Sequence, residues 1–345
     1  MARRRRAILI AAAAAVATAA VVVGAVFLFR GSPKPAKPVA TATPTPSPPR
    51  PPQPPKPLVS PFTGEPVKAL GPVLAVKIDN VVDARPPTGL TKADIVYVLP
   101  VEGGLSRIFA VFSSHFPPVI GPVRSSREDD IELLRQFGRP AFAYSGAQSH
   151  LLHVIRHART VDLYAGTVGA PYFRSPNRII PHNLYAATRK LLAAARGASK
   201  AHDIGFRFGP PPPGGKTVAS VSVAYPAASF SFRWSARKAR WLVSMDGAPE
   251  RSTEDGQLSA PTVVIQYTKV RKSRFLEQSV PPPYAQSIGS GAATVLRDGK
   301  AYAARWSRPQ ADGGTRFTTA SGRPMTFAKG PVWIVLAIGR GSTTS

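Results

Sequence analysis

A proline-rich segment near the N-terminus sets the strongest limit on how this chain can fold. Twelve of the thirty residues from 31 to 60 are proline. Proline fixes φ and has no N–H to donate, so such a run builds neither a helix nor a packed core. Polyproline II is the expected conformation, and its rise of about 3.1 Å per residue gives a span of up to about 90 Å. We therefore expect a linker at 31–60, with the folded part of the chain after it.

An apolar segment precedes this linker and predicts a membrane anchor. Residues 3–6 are all arginine, and residues 7–29 form a run of 23 positions without a charge. A helix of that length, rising about 1.5 Å per residue, crosses the hydrocarbon core of a bilayer. The arginines place the N-terminus in the cytoplasm and the bulk of the chain outside, as a single-pass protein of the cell membrane. The alternative is a cleaved signal peptide, because Ala17-Thr18-Ala19 resembles a small-residue cleavage site.

Charge and cysteine content narrow the classes of partner. The chain has 45 basic and 18 acidic residues, a formal net charge of +27. Nine of the basic residues and none of the acidic ones precede residue 61, so the rest has 36 basic against 18 acidic residues. Such a surface favours anionic partners, and we expect an anionic cell-wall polymer or an envelope protein. The export signal and the absence of a recognised motif argue against nucleic acid. The lack of cysteine excludes disulfides and thiolate metal sites.

The pattern after residue 60 predicts two folded domains. Short β-branched and aromatic runs alternate with helical patterns over 61–208, which indicates an α/β domain with a mixed sheet. Strand follows strand over 218–340, which indicates a smaller all-β domain with a hairpin turn at Asp298-Gly299. The stretch 209–217, GPPPPGGKT, is interpreted as a Pro/Gly linker, because prolines lack the N–H groups of a phosphate loop. The strands predicted in the first domain are 73–78, 93–98, 105–112 and 140–144, and the helices are 126–137, 148–158 and 184–195.

Four blocks of sequence resemble one family of bacterial exported proteins. They read KIDNVVDARPPTGLTKADIVY, VEGGLSRIFAVF, GPVRSSR and RIIPHNLY. Together they resemble the YerB-like family, a two-part domain of unknown function whose members are often lipoproteins. The resemblance covers roughly 60–340 and implies a cell-envelope protein without an established activity. Because the chain has no cysteine for a lipid, the apolar segment at 7–29 is expected to replace the lipid anchor.

Polar residues stand at the predicted strand ends, where an open α/β sheet forms its ligand crevice. Arginines among them are suited to bidentate contacts with carboxylate or phosphate groups. We expect Glu102, Arg107 and Arg124 to meet at one end of the sheet, with Asp79 and His182 nearby. The predicted ligand-binding residues are Asn80, Arg85, Arg107, Arg124, Ser125, Arg127, Ser145 and Asn183.

Two kinds of function fit this set of residues. The first is a non-enzymatic envelope protein that binds an anionic glycan, wall polymer or partner protein at the arginine-rich crevice. The alternative is an envelope hydrolase or transferase, with Asp79 or Glu102 as general base and His182 as acid.

Asn183 is expected to cap the helix that follows it. No cofactor is expected, and no metal either, because the histidines of the helix at 148–158 have no cysteine or carboxylate beside them.

Overall fold

The structure is a computed structural model that describes residues 57–254, 256–340 and 343–344. The predicted anchor at 7–29 and nearly all of the linker at 31–60 lie outside these residues. Within the described ranges, no helix is both long and apolar enough to cross a membrane. Residues from Lys56 to Ser345 make up one compact unit.

Most of the regular structure consists of strands. The runs predicted as strands in the first half all form strands, within two residues of the expected limits. The strands are β1 Leu74–Ile78, β2 Ile95–Pro100, β3 Ser106–Phe112, β4 Val119–Ile120, β5 Ala141–Tyr144, β6 Val161–Tyr164, β7 Tyr172–Arg174, β8 Leu184–Ala187, β9 Lys216–Thr217, β10 Ser220–Tyr225, β11 Ala228–Ser235, β12 Arg240–Met245, β13 Ala248–Pro249, β14 Ser259–Ala260, β15 Thr262–Thr268, β16 Val270–Lys272, β17 Pro283–Ala285, β18 Gly289–Arg297, β19 Lys300–Arg308, β20 Arg316–Thr319, β21 Val332–Ile338 and β22 Thr343–Thr344.

The helices are few and short. They are α1 Glu128–Leu134, α2 Ser149–Arg156, α3 Ala165–Val168 and α4 Thr188–Ala194, with 3-10 turns at Val82–Ala84, Leu90–Lys92, Glu102–Gly104 and Arg135–Phe137. Helices α1 and α2 confirm the predictions for 126–137 and 148–158.

The helix predicted at 184–195 is wrong in its first turn. Residues Leu184–Ala187 form β8, which pairs with β4 on one side and β7 on the other. The helix begins only at Thr188. Pairing in this small sheet outweighs the helix propensity of the alanine-rich stretch, because intrinsic propensity contributes little free energy compared with tertiary contacts. Asn183 therefore precedes a strand, and its predicted role as a helix cap is wrong.

One mixed sheet of eleven strands runs through both halves of the chain. Its order is β20-β19-β18-β15-β21-β2-β3-β1-β5-β6, with β9 paired to β19. The pairs β1–β5, β5–β6, β2–β21 and β15–β21 are parallel, which confirms mixed pairing. Strand β2 of the first half lies beside β21 of the second half. The division into domains at 61–208 and 218–340 stays a prediction, and the sheet crosses it. The stretch predicted as a linker also contacts the second half, since Arg297 donates to the carbonyl of Gly209.

The main sheet is covered differently on its two faces. On one face, side chains such as Val76 pack with Phe232 and Trp241 of a six-stranded sheet built from β10–β14 and β22. On the other face, side chains such as Ala75 pack with Leu133 of α1 and Ile155 of α2. Because side chains alternate along a strand, each end of the sheet presents two separate sets of residues.

Candidate functional site

The predicted site residues lie at one end of the main sheet. Strands β1 and β5 are parallel, and β3 runs antiparallel to both β1 and β2. The carboxyl ends of β1, β2 and β5 therefore meet the amino end of β3. This arrangement brings the residues that follow β1, β2 and β5 close to those that begin β3, as the sequence predicts.

Four residues form an ion cluster here, which we call the rim cluster: Asp79, Arg107, Arg124 and His182. The Asp79 carboxylate is fully buried, and its Oδ2 lies 3.0 Å from Nε of Arg124 and 2.8 Å from Nδ1 of His182. Its Oδ1 lies 3.4 Å from Nε of Arg107. The side chains of Arg124 and His182 keep 24% and 15% of their exposure. The cluster is therefore a buried carboxylate surrounded by two arginines and a histidine, of which Arg124 and His182 reach the surface.

Arg107 is the more buried of the two arginines in the rim cluster. Its side chain is nearly buried, and burial lowers the pKa of its guanidinium group, with the charge of Asp79 acting against that effect. The Nη1 atom of Arg107 donates to the carbonyl of Ser106 at 3.0 Å. Arg107 is thus held below the surface, and Arg124 is the arginine of the rim cluster that a ligand can reach.

Glu102 pairs with Arg127 rather than with Arg107 or Arg124. Arg127 holds the carboxylate through two nitrogen atoms, with Nε 2.8 Å from Oε2 and Nη2 in contact with Oε1. Burial raises the pKa of Glu102, but the bonds and charge of Arg127 outweigh it and lower the pKa to about 2. The backbone N–H of Arg127 also donates to Asp130 at 2.7 Å, where α1 begins. Arg127 is therefore the residue that caps the N-terminus of α1.

The opposite face of the sheet carries a second group of the predicted residues. Asn80 is buried and donates from Nδ2 to Oγ of Ser106 at 2.9 Å. Arg85 donates from Nε to the carbonyl of Asn80 at 2.8 Å and pairs with Asp246 at 2.5 Å. Asp79 and Asn80 are consecutive, so they point to opposite faces of the sheet. A cleft of about 260 Å³ lies here, lined by Asn80, Arg85, Ser106 and Asp246 among others.

The remaining predicted residues play smaller parts. The backbone N–H of Ser145 donates to the carbonyl of Arg124 at 3.0 Å. Within the described part of the chain, the hydroxyls of Ser125 and Ser145 make no hydrogen bond. Asn183 accepts from Arg174 at 2.6 Å and donates to the carbonyl of Ser175 at 3.2 Å. Asn183 therefore fixes the loop between β7 and β8, and its side chain bonds within that loop.

A second ion cluster lies deeper along β1, and we call it the inner cluster: Lys77, Asp129 and Asp130. Nζ of Lys77 lies 2.6 Å from Oδ1 of Asp130, and both side chains are fully buried. Burial, followed by the charge of Asp130, raises the pKa of Asp129 to about 7. Sequence reasoning missed this cluster, although a lysine inside the apolar run VLAVKI was a signal that an acid must face it.

Residues from the second half of the chain complete the site and were not predicted. Asp246 and Met245 contact Arg85 and Asn80, and Glu277 lies 3.6 Å from Nη1 of Arg127. No local pattern marks them, because their contacts come from strands far apart in sequence. Beside Glu102, a cleft of about 210 Å³ is lined largely by apolar residues of both halves, including Leu105, Val280 and Ile338.

The described residues contain no group of three histidine or acidic side chains placed to hold a metal ion. His150, His153 and His157 are exposed on and just after α2. The rings of His153 and His157 lie 4.3 Å apart. Nδ1 of His157 lies 2.8 Å from the carbonyl of His153, within hydrogen-bonding distance along the same helix.

Comparison with known proteins finds relatives of both halves. Residues 62–202 match the model described as "Protein of unknown function (DUF3048) N-terminal domain", and 221–334 match the corresponding C-terminal domain. The chain is 43% identical over 86 residues to "Putative lipoprotein YerB" of Bacillus subtilis, a match that covers 24% of this chain and 26% of that protein. The chain thus aligns with about a quarter of the length of this curated relative.

A solved structure shows the same fold. The crystal structure of the YerB protein from Bacillus subtilis superposes with a TM-score of 0.71 at 20% identity, and it covers 83% of this chain and 99% of that one. The two family models, the relative and the shared fold agree with the resemblance of the four sequence blocks. The chain belongs to the YerB-like family of proteins of unknown function, with DUF3048 N- and C-terminal domains.

Proposed function

We propose that the protein is held at the outer side of the cell membrane and binds an anionic glycan, wall polymer or partner protein at the rim cluster. Its location rests on the basic and apolar residues before the linker and on a relative named as a lipoprotein. Its binding role rests on one observation: two arginines and a histidine surround a buried carboxylate, and Arg124 and His182 extend to the surface.

The geometry favours binding because Asp79 restrains Arg124 through an ion pair: Nε of Arg124 lies 3.0 Å from Oδ2 of Asp79, although the two atoms make no hydrogen bond. A guanidinium group restrained by a buried carboxylate has already lost part of its freedom before it binds a ligand. The terminal nitrogen atoms of Arg124 have no hydrogen-bond partner among the described residues, and part of the side chain is exposed. They are therefore suited to the paired oxygen atoms of a carboxylate or phosphate.

Neither carboxylate has the properties of a general base. Asp79 is fully buried behind Arg107, Arg124 and His182, so a substrate cannot contact its carboxylate directly. The pKa of Glu102 is lowered to about 2, far from the near-neutral value that suits a general base at neutral pH. These two properties support a binding protein over the hydrolase or transferase of the alternative.

One contact supports the enzyme as a second candidate. Asp79 engages Nδ1 of His182 at 2.8 Å, which leaves Nε2 as the other functional nitrogen of a partly exposed imidazole. In that mechanism Asp79 orients His182, and His182 acts as the acid or base. Hydrolysis of an envelope polymer that is lost in His182→Ala, with polymer binding retained, would favour this candidate.

The direct test is binding of purified anionic wall polymer at low and high salt. We expect the wild type to bind best at low salt, where charges are least screened. Arg124→Gln should weaken binding by about tenfold, the loss expected for one charged hydrogen-bonding group. Arg237→Gln is the matched control, because Arg237 is exposed in the turn between β11 and β12, on the other sheet. Absence of binding by the wild type at low salt, or equal losses in the two variants, would contradict the proposal.

A further inference from the structure

The three most exposed large apolar side chains of the described residues lie on two segments that adjoin the rim cluster. Among the large apolar residues of the described ranges, Val82, Ile180 and Ile179 have the highest exposures, at 71%, 68% and 65%. Ile179 and Ile180 lie in the loop between β7 and β8, three and two residues before His182. Val82 follows Asp79 by three residues on the neighbouring turn.

Arg178 joins the loop to that turn. Its guanidinium donates to the carbonyls of Pro86 at 2.6 Å and Asp83 at 3.3 Å. At the other end of the loop, Arg174 bonds to Asn183, and Phe173 beside it is 45% exposed. The isoleucines are therefore presented by a loop that hydrogen bonds hold in place. An apolar surface held open to water in this way usually marks a site of interaction.

Arginines outnumber acids around these side chains, where Asp83 beside Val82 is an exposed acidic residue of the neighbouring turn. The segment from Gly169 to His182 contains Arg174 and Arg178 and no acidic residue. Both guanidinium groups bond to neutral oxygen atoms, so their charges are not neutralised by a carboxylate in the described part of the chain. Apolar side chains flanked by uncompensated arginines are the composition that inserts at the interface of an anionic bilayer.

We propose that this loop, with Val82, docks on the surface of a membrane rich in anionic lipid. The isoleucines would enter the boundary between headgroups and acyl chains, and Arg174 and Arg178 would contact lipid phosphates. The predicted anchor supports this occupant over a soluble protein, because the tether keeps the folded unit near the bilayer and makes a weak contact sufficient. Docking in this way places the exposed edge of Arg124 and His182 close to the headgroups.

The experiment uses residues 56–345, which lack the predicted anchor but contain the whole compact unit and both of its cores. This protein is sedimented with vesicles of equal parts phosphatidylglycerol and phosphatidylcholine, and with vesicles of phosphatidylcholine alone. We expect binding to the anionic vesicles, and a loss of at least about tenfold in partitioning for Ile179→Ser/Ile180→Ser. Leu276→Ser/Val154→Ser is the control, because Leu276 and Val154 are 49% and 38% exposed on other segments.

A second measurement reports insertion directly. The chain has no cysteine, so Ile180→Cys carries a single polarity-sensitive fluorophore. We expect its emission to shift to the blue with anionic vesicles, while the same label at Leu276→Cys stays unchanged. The proposal is overturned if the wild type does not sediment with anionic vesicles, which would leave a protein as the partner of this surface. It is also overturned if the two double variants lose binding equally, or if the label at position 180 reports water throughout.

Discussion

The rim cluster and the inner cluster stand two residues apart on the same face of the same chain segment, yet their relations with water differ. Lys77 and Asp130 are both fully buried, so their charges are balanced only by protein. Asp79 is equally buried, but its partners Arg124 and His182 are partly exposed at the surface. The inner pair can therefore act only on the fold, whereas the rim cluster can also act on a ligand. The two clusters contain similar charged groups. Their position in this chain segment, inside β1 or just after its end, decides whether water and a ligand can reach them.

The largest effect is expected from Lys77→Ala. This change leaves Asp130, with Asp129 beside it, buried without its cation, and breaking a buried pair costs about 3–5 kcal/mol. Urea denaturation measures the free energy of unfolding, and Lys92→Ala at an exposed position is the control, expected within about 0.5 kcal/mol of wild type. A loss below about 1 kcal/mol would mean that protonation of the aspartates replaces the lysine, and the contrast between the clusters would fail.

A smaller loss is expected from Asp79→Asn, because only part of the rim cluster is closed to water. Arg107 loses its buried counter-ion, while Arg124 and His182 can turn to solvent. We expect the free energy of unfolding to fall by about 2–3 kcal/mol, the range for a hydrogen-bonded charge that loses its partner. Asp83→Asn, at an exposed position four residues on, should change little. A loss as large as that of Lys77→Ala would show that the rim cluster is also a purely structural network.

The pH dependence of stability tests the inner cluster through its acidic residue Asp129. The folded-state pKa of Asp129 is raised from 3.8 to about 7 by burial. A raised pKa means that the folded state holds its proton longer, so stability is lost as pH rises from about 4 to about 7. Asp129→Asn cannot ionise, and its stability should fall less than that of the wild type across this range. Equal slopes in urea titrations of the two proteins would contradict the assignment.

Sequence reasoning succeeded where local pattern and strand direction decide the structure. Short apolar runs between turn residues predicted β1, β2, β3 and β5. The rule that ligands collect at strand ends predicted Glu102, Arg107 and Arg124 at one end of the sheet, with Asp79 and His182 nearby. In the structure, Asp79 is the residue that contacts Arg107, Arg124 and His182. That reasoning cannot decide which acid meets which arginine, and Glu102 pairs with Arg127 instead of joining Arg124.

What the sequence did not predict depends on contacts between distant segments. Met245, Asp246 and Glu277 reach the site from the second half of the chain. Their positions follow from β2 pairing with β21 and from the six-stranded sheet covering one face, and neither arrangement has a local signal. The strand at Leu184–Ala187 was missed for the same reason, because pairing with β4 and β7 overrides its local preference.

The smallest effect on stability is expected from an exposed ion pair whose N–O distance equals that between Arg124 and Asp79. Nε of Arg135 lies 3.0 Å from Oδ1 of Asp312, the distance that also separates Arg124 from Asp79. The side chains of Arg135 and Asp312 are 51% and 65% exposed, so water and salt screen their attraction, and exposed pairs contribute little to stability. Arg135→Gln should therefore unfold at the same urea concentration as the wild type, at low and at high salt. If this variant instead unfolds clearly earlier at low salt, bond length rather than access to water would rank the ion pairs of this protein, and the distinction between rim and inner clusters would lose its physical basis.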